Sequence, residues 1–314
     1  MNNNRVAHVN KVFLTTVLSF LLGSYLLQFI QEVGITVPTY VRLLYSQLIL
    51  VLPSIIYMWI NKIKFIEFIR FKKINFITVV LLILFGFFIR PFMSLLSAIS
   101  MIWVKNEIAN TAKDLMSEVN FGLALLFIAI IPSVFEEFVY RGVFYNEYRK
   151  VNARKAVLLS GLLFGLMHMN LNQFFYAFFM GAIFALVIEA TDSILASMIV
   201  HFTINGSSLL SMKMVPWLEK QAGNAGDTVL LDSPTLSRGD IVALLPSLII
   251  PAIMALIISL LLYYAIANYN KRIENVKQIF GKEVIEDKSC NLITRPLVVG
   301  LGICLLIMSA SVFI

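Results

Sequence analysis

Long apolar runs separated by short polar breaks dominate the chain, and neither strict alternation nor a soluble amphipathic stripe recurs along it. Runs of this length predict spans near residues 12–30, 41–60, 75–100, 121–145, 156–170, 172–188, 193–212, 241–267 and 292–313. That makes nine. Eight would result if the short fifth and sixth, which meet at the polar MNLNQ, formed a single element. The predicted fold is all-α, a polytopic transmembrane helical bundle, because a backbone in lipid must satisfy its hydrogen bonds internally and no porin-like alternation offers a barrel instead.

Composition agrees with this pattern. The 314 residues are 59% hydrophobic and 14% charged, with a mean hydropathy of +0.86, which places the chain in a membrane. Its first apolar run follows MNNNRVAHVNK with no small-residue cleavage pattern before Gln31 and Glu32, so a retained span is expected rather than a signal peptide. Cys290 and Cys304 form no CxxC and imply no disulfide scaffold.

The net charge of +7 is explained by its placement, without nucleic acid. The tract NKIKFIEFIRFKK, 61–73, sets five basic residues against Glu67. With Arg5, Lys11, Arg149, Lys150, Arg154, Lys155 and the basic residues of 268–295 it would lie on the cytoplasmic side. Arg42, Lys105, Lys113, Lys213, Lys220 and Arg238 are spread over the opposite loops. This bias predicts a cytoplasmic N-terminus and, with nine spans, a non-cytoplasmic C-terminus.

Within the fourth span, SVFEEFVYR sets Glu136, Glu137 and Arg141 in apolar surroundings. Glu137 and Arg141, four apart, share a helix face and can pair, while Glu136 points about 100° away. Charge at such depth is costly unless it is paired or wetted, so a functional site is expected there, against the plainer reading of a structural ion pair. Two of the three histidines also lie in spans: His168 in FGLMH, and His201 in HFTIN with Asn205 one turn on. At about 1.5 Å per residue, Glu136 and His201 lie roughly 13 and 12 Å from the cytoplasmic ends of their spans and His168 roughly 18 Å, so the groups can share one layer.

A carboxylate beside an imidazole can deprotonate and orient water. A second imidazole with a carboxamide can donate to an oxyanion. Hydrolysis of a carbonyl compound, most simply an amide, suits the set. The same Glu136, His168 and His201 would also serve as three zinc ligands with an open position, although HExxH is absent. Gly161 and Gly165, with Ala177, Gly181 and Ala185, predict close helix approach, and Pro132 predicts a bend or a free carbonyl one turn before Glu136.

On these residues the chain resembles the CPBP intramembrane proteases, which include the type II CAAX prenyl endopeptidases and the Abi bacteriocin-immunity group. The family's EExxxR is similar to Glu136 through Arg141, its FxxxH to Phe164 through His168, and its final HxxxN to His201 through Asn205. Asp192 stands where glycine is common before the last motif. The resemblance covers about 121–212 and implies a four-helix catalytic core. In it Glu136 is the base, His168 positions the water, His201 and Asn205 hold the oxyanion, and Glu137 and Arg141 support them.

The expected organisation is then three spans in 1–120, the core in 121–212, and a non-cytoplasmic loop with two spans in 213–314; Trp217 in that loop is an interface anchor or a substrate contact. The expected substrate is a membrane-embedded or prenylated peptide, cleaved without cofactor, with zinc as the alternative. The asparagine-rich start and the immunity-group resemblance fit a bacterial cell membrane. A transporter using Glu136 as a relay, or a passive immunity protein, are the rival classes.

Overall fold

A computed structural model describes residues 3–104, 106–221, 237–281 and 290–310, and among these the regular structure is helical. The labels used below are α1 (Asn3–Glu32), α2 (Thr39–Ile60), α3 (Phe76–Ser100), α4 (Phe121–Tyr148), α5 (Ala153–Met167), α6 (Leu171–Thr191), α7 (Ile194–Gln221), α8 (Arg238–Tyr269), α9 (Ile273–Phe280) and α10 (Arg295–Ala310). Short helices Phe65–Phe68 and Glu107–Glu118 lie between them.

Seven of the described helices are long and apolar enough to cross a membrane: α1, α2, α3, α4, α6, α7 and α8. The other two expected spans are shorter. α5 has 15 residues and α10 has 16, about 22 and 24 Å of helix against a hydrocarbon core of about 30 Å. α5 stops at Met167 because Met169 adopts a left-handed φ of +50° and the Asn170 side chain caps α6 by accepting from Gln173 N–H. Residues 311–313 of the expected last span lie outside the described residues. The loop expected over 213–240 begins as helix, since α7 continues to Gln221; residues 222–236 also lie outside the described set.

Large apolar side chains face outward on α1, α2, α3, α8 and α10, among them Leu22, Trp59, Phe76, Ile250 and Leu306. An outer surface this apolar belongs against lipid, and the protein is a multi-pass membrane protein. Half of the most apolar stretch of α6 and of α7 is buried, against 17% in α8. α6 and α7 are therefore the central helices of the bundle.

Polar contacts mark the two ends of the bundle. At one end Arg70 pairs with Glu189 at 2.6 Å and with Asp192, Lys72 also pairs with Asp192, Arg149 meets Glu189 at 2.9 Å, and Arg154 donates to Ile279 O at 2.9 Å. At the same end Asn10 donates to Leu292 O and Thr294 Oγ1, both at 2.9 Å, and accepts from the Tyr148 hydroxyl, which keeps the polar start of α1 helical and Asn10 buried. The segments expected on the cytoplasmic side thus share one end. At the other end Glu118 accepts from Thr39 N–H and Oγ1–H, each at 2.7 Å, Asn172 donates to Ser97 and Ser100, and Arg238 donates to Ile102 O.

Asp192 terminates α6 with a left-handed φ of +58°, the conformation for which glycine is the usual residue. Burial alone would raise its carboxyl, but hydrogen bonds from Lys72 and Arg70 and the charges of Arg70 and Arg272 outweigh it and hold the pKa at about 2. The ion pairs compensate for the side chain at a turn that would favour glycine.

Candidate active site

α4 is not a uniform helix. It runs as π-helix over Leu126–Ile130 and again over Phe138–Tyr145, with an α-helical turn, Ile131–Glu137, between them. Wider π turns are recurrent at functional sites, and here they flank the two glutamates. In α-helical register the Ile128 carbonyl would accept from the N–H of residue 132, which is proline. Asn205 Nδ2 on α7 donates to that carbonyl at 3.2 Å.

Glu137 Oε1 accepts from Arg141 Nη1 at 2.9 Å, with both side chains fully buried. Arg141 Nε and Nη2 make no hydrogen bond to another described residue; the guanidinium meets aromatic faces, 4.5 Å from the Phe164 ring centre and 5.0 Å from that of Phe184. Such faces attract a cation strongly when water is absent. Room for it comes from glycine: a Cβ at Gly181 would lie 3.0 Å from Arg141 Nη2 and 2.7 Å from the Gly161 Cα. The GxxxG of α5 and the small stripe of α6 are therefore one contact, and it holds the cation's site open.

His201 reaches the same glutamate from α7. Its Nδ1 lies 3.0 Å from Glu137 Oε1, and its Nε2 lies 3.9 Å from Glu136 Oε2. Arg141 fixes Glu137 as an acceptor, so Nδ1–H donates, and the outer nitrogen faces Glu136. Phe184 stacks on the imidazole at 5.0 Å and 23°.

Glu136 turns away from this pair, as the helical spacing requires, and its Oε1 accepts from Gln47 Nε2 of α2 at 2.8 Å. His168 caps the end of α5, with Nδ1–H donating to the Phe164 carbonyl at 2.8 Å, so the neutral ring presents an acceptor at Nε2. Phe164 stands between the imidazoles, its ring centre 5.0 Å from that of His168 and 6.0 Å from that of His201. The polar set thus has a buried floor of Glu137, Arg141 and His201 beneath a part-buried layer of Glu136, Gln47, His168 and Asn205.

Two contributors were not legible as such in the sequence. Phe164 enters as a motif letter and proves to be the wall shared by Arg141 and both imidazoles. Gln47 left a weak signal, an amide in the middle of an apolar span, where polar side chains usually bond across helices.

Among the described residues no group of three or more His, Cys, Asp and Glu side chains is disposed to hold a metal ion. A groove of about 670 Å³, lined by Ile55, Met58, Trp59, Ile60, Lys62, Ile63 and Phe65, includes none of the polar set.

Residues 118–207 match the family model described as type II CAAX prenyl endopeptidase Rce1-like. The matched segment contains every residue of the polar set except Gln47. No curated protein and no solved structure matches the chain.

Proposed function

From the premise that the chain belongs to the CPBP family through its Rce1-like segment, 118–207, we propose that it is an intramembrane endopeptidase with Glu136 as its general base. The family supports a CAAX-type peptidase acting in the bilayer, and the catalytic assignment rests on one observation. Two adjacent glutamates take different partners: Glu137 is bound by Arg141 and His201, while Glu136 stays part-exposed and faces the outer nitrogen of that histidine. One carboxylate is thereby structural and the other is left to move a proton.

In this reading Glu136 removes a proton from water held with His168 Nε2, and the oxygen adds to the scissile carbonyl carbon. The oxyanion takes hydrogen bonds from the second N–H of Asn205 and from Nε2–H of His201. Donation at Nε2, with Nδ1–H committed to Glu137, needs a hydrogen on both ring nitrogens of His201. The C–N bond then breaks and Glu136 returns the proton to the departing amine. The described helices of 1–120 and 213–314 flank the core, and the substrate is a membrane-presented peptide, prenylated or not.

The test is cleavage of membrane-presented peptide libraries, with and without prenyl groups, by folded native protein, E136Q and H168A, with and without a chelator. Activity should fall at least about a hundredfold in E136Q. Full activity in E136Q would reject Glu136 as the base, and a folded native protein that cleaves nothing would return the transporter and immunity readings. Inhibition by chelator that zinc reverses would overturn the metal-free mechanism.

A further inference from the structure

The family segment begins at residue 118, yet the base proposed within it is held by a side chain from outside. Gln47 Nε2 donates to Glu136 Oε1 at 2.8 Å, and Glu136 Oε2 is the oxygen turned to His201 Nε2 at 3.9 Å. An amide N–H on one oxygen fixes the rotation of the carboxylate and so directs the other. Among the described residues the charged or titratable neighbours do not do this: Glu137 and Arg141 are committed to each other, His168 is tied to the Phe164 carbonyl, and His201 approaches the other oxygen no nearer than 3.9 Å.

The donor is itself well placed. Thr39 at the start of α2 is bonded to Glu118 at the end of the helix preceding α4, and α2 packs against the Ile131–Glu137 turn. The amide oxygen, Gln47 Oε1, is buried and makes no hydrogen bond to another described residue, so the local geometry satisfies the side chain only through Glu136.

Resting on the reading of Glu136 as base, we propose that Gln47 is a positioning residue for that base, which makes α2 part of the working enzyme. Gln47 does not touch the reacting atoms. It holds Glu136 Oε1 so that Oε2 meets the water, and its loss lowers turnover without changing how substrate binds.

The experiment uses the full chain in liposomes and a peptide cleaved by the native protein. In Q47M, which keeps the volume and removes the donor, kcat should fall about 10- to 100-fold, the scale of a misplaced catalytic group, with KM within about twofold. In the E136Q background Q47M should cost almost nothing more, because its effect passes through Glu136. Native kcat in folded Q47M, a change in KM alone, or a full multiplicative loss on top of E136Q would each overturn the proposal. Where Q47M does not fold, Q47N takes its place, since its shorter arm withdraws the same donor. If E136Q cleaves like the native protein, or the native protein cleaves nothing, the base reading has failed by itself. The link is then judged by thermal unfolding of Q47M, E136A and the double variant: non-additive losses sustain it, and additive losses overturn it.

Discussion

His201 Nδ1 and Arg141 Nη1 bind the same oxygen of Glu137, at 3.0 and 2.9 Å. That shared acceptor joins α4 and α7 through one buried carboxylate and aims the outer nitrogen of His201 at Glu136. The two neighbouring glutamates therefore differ in what their loss should do.

Replacing Glu137 by Gln should damage folding more than it damages any single chemical step. It leaves Arg141 buried without a counter-charge, a loss of about 3–5 kcal/mol. The double variant E137Q/R141M should recover a large part of that, because no ion is then left alone. Thermal unfolding in detergent measures both, and an E137Q protein as stable as the native one would contradict the buried-pair account.

The α5–α6 contact should not tolerate a methyl group. A Cβ at Gly161 would lie 2.6 Å from the Phe178 carbonyl oxygen, which is backbone and cannot rotate away, so G161A should lose about 1–3 kcal/mol. Gly302, with nothing within 4 Å of its Cβ position, is the control: G302A should be neutral or stabilising by up to about 1 kcal/mol.

Asp192 predicts an acid limb of stability. Its carboxyl pKa of about 2 in the folded chain lies below the unfolded value of about 3.9. The stabilisation is thus complete above the unfolded pKa and lost as pH falls toward 2. Because the side chain is only half-buried, solvent screening reduces the effect to about 1 kcal/mol. D192N should lose this at neutral pH and flatten the decline between about pH 4 and pH 2; an unchanged pH profile of unfolding would contradict the ion-pair role.

Topology can be tested independently of chemistry. The shared end that carries Arg70, Arg149, Arg154 and Arg272 is expected to face the cytoplasm. Reporter fusions after positions 70, 152 and 275 should read cytoplasmic, and those after 36 and 105 should read the opposite side. Inverted readings would reverse the orientation while leaving the fold unchanged.

Much of this protein is written locally. Hydropathy alone determined a helical membrane bundle, because lipid offers the backbone no other partner. Spacing alone paired Glu137 with Arg141 and turned Glu136 aside, since residues four apart share a helix face whatever surrounds them. The missing N–H at Pro132 and the close approach at Gly161 follow from single residue types. The partners across helices are not local. Gln47 meets Glu136 from 89 positions away, and Phe164 becomes the wall between two imidazoles. Asp192 keeps a left-handed turn because Arg70 and Lys72 arrive from another segment. These depend on the rotation and tilt of each helix against its neighbours, which close packing of side chains sets and hydropathy does not encode.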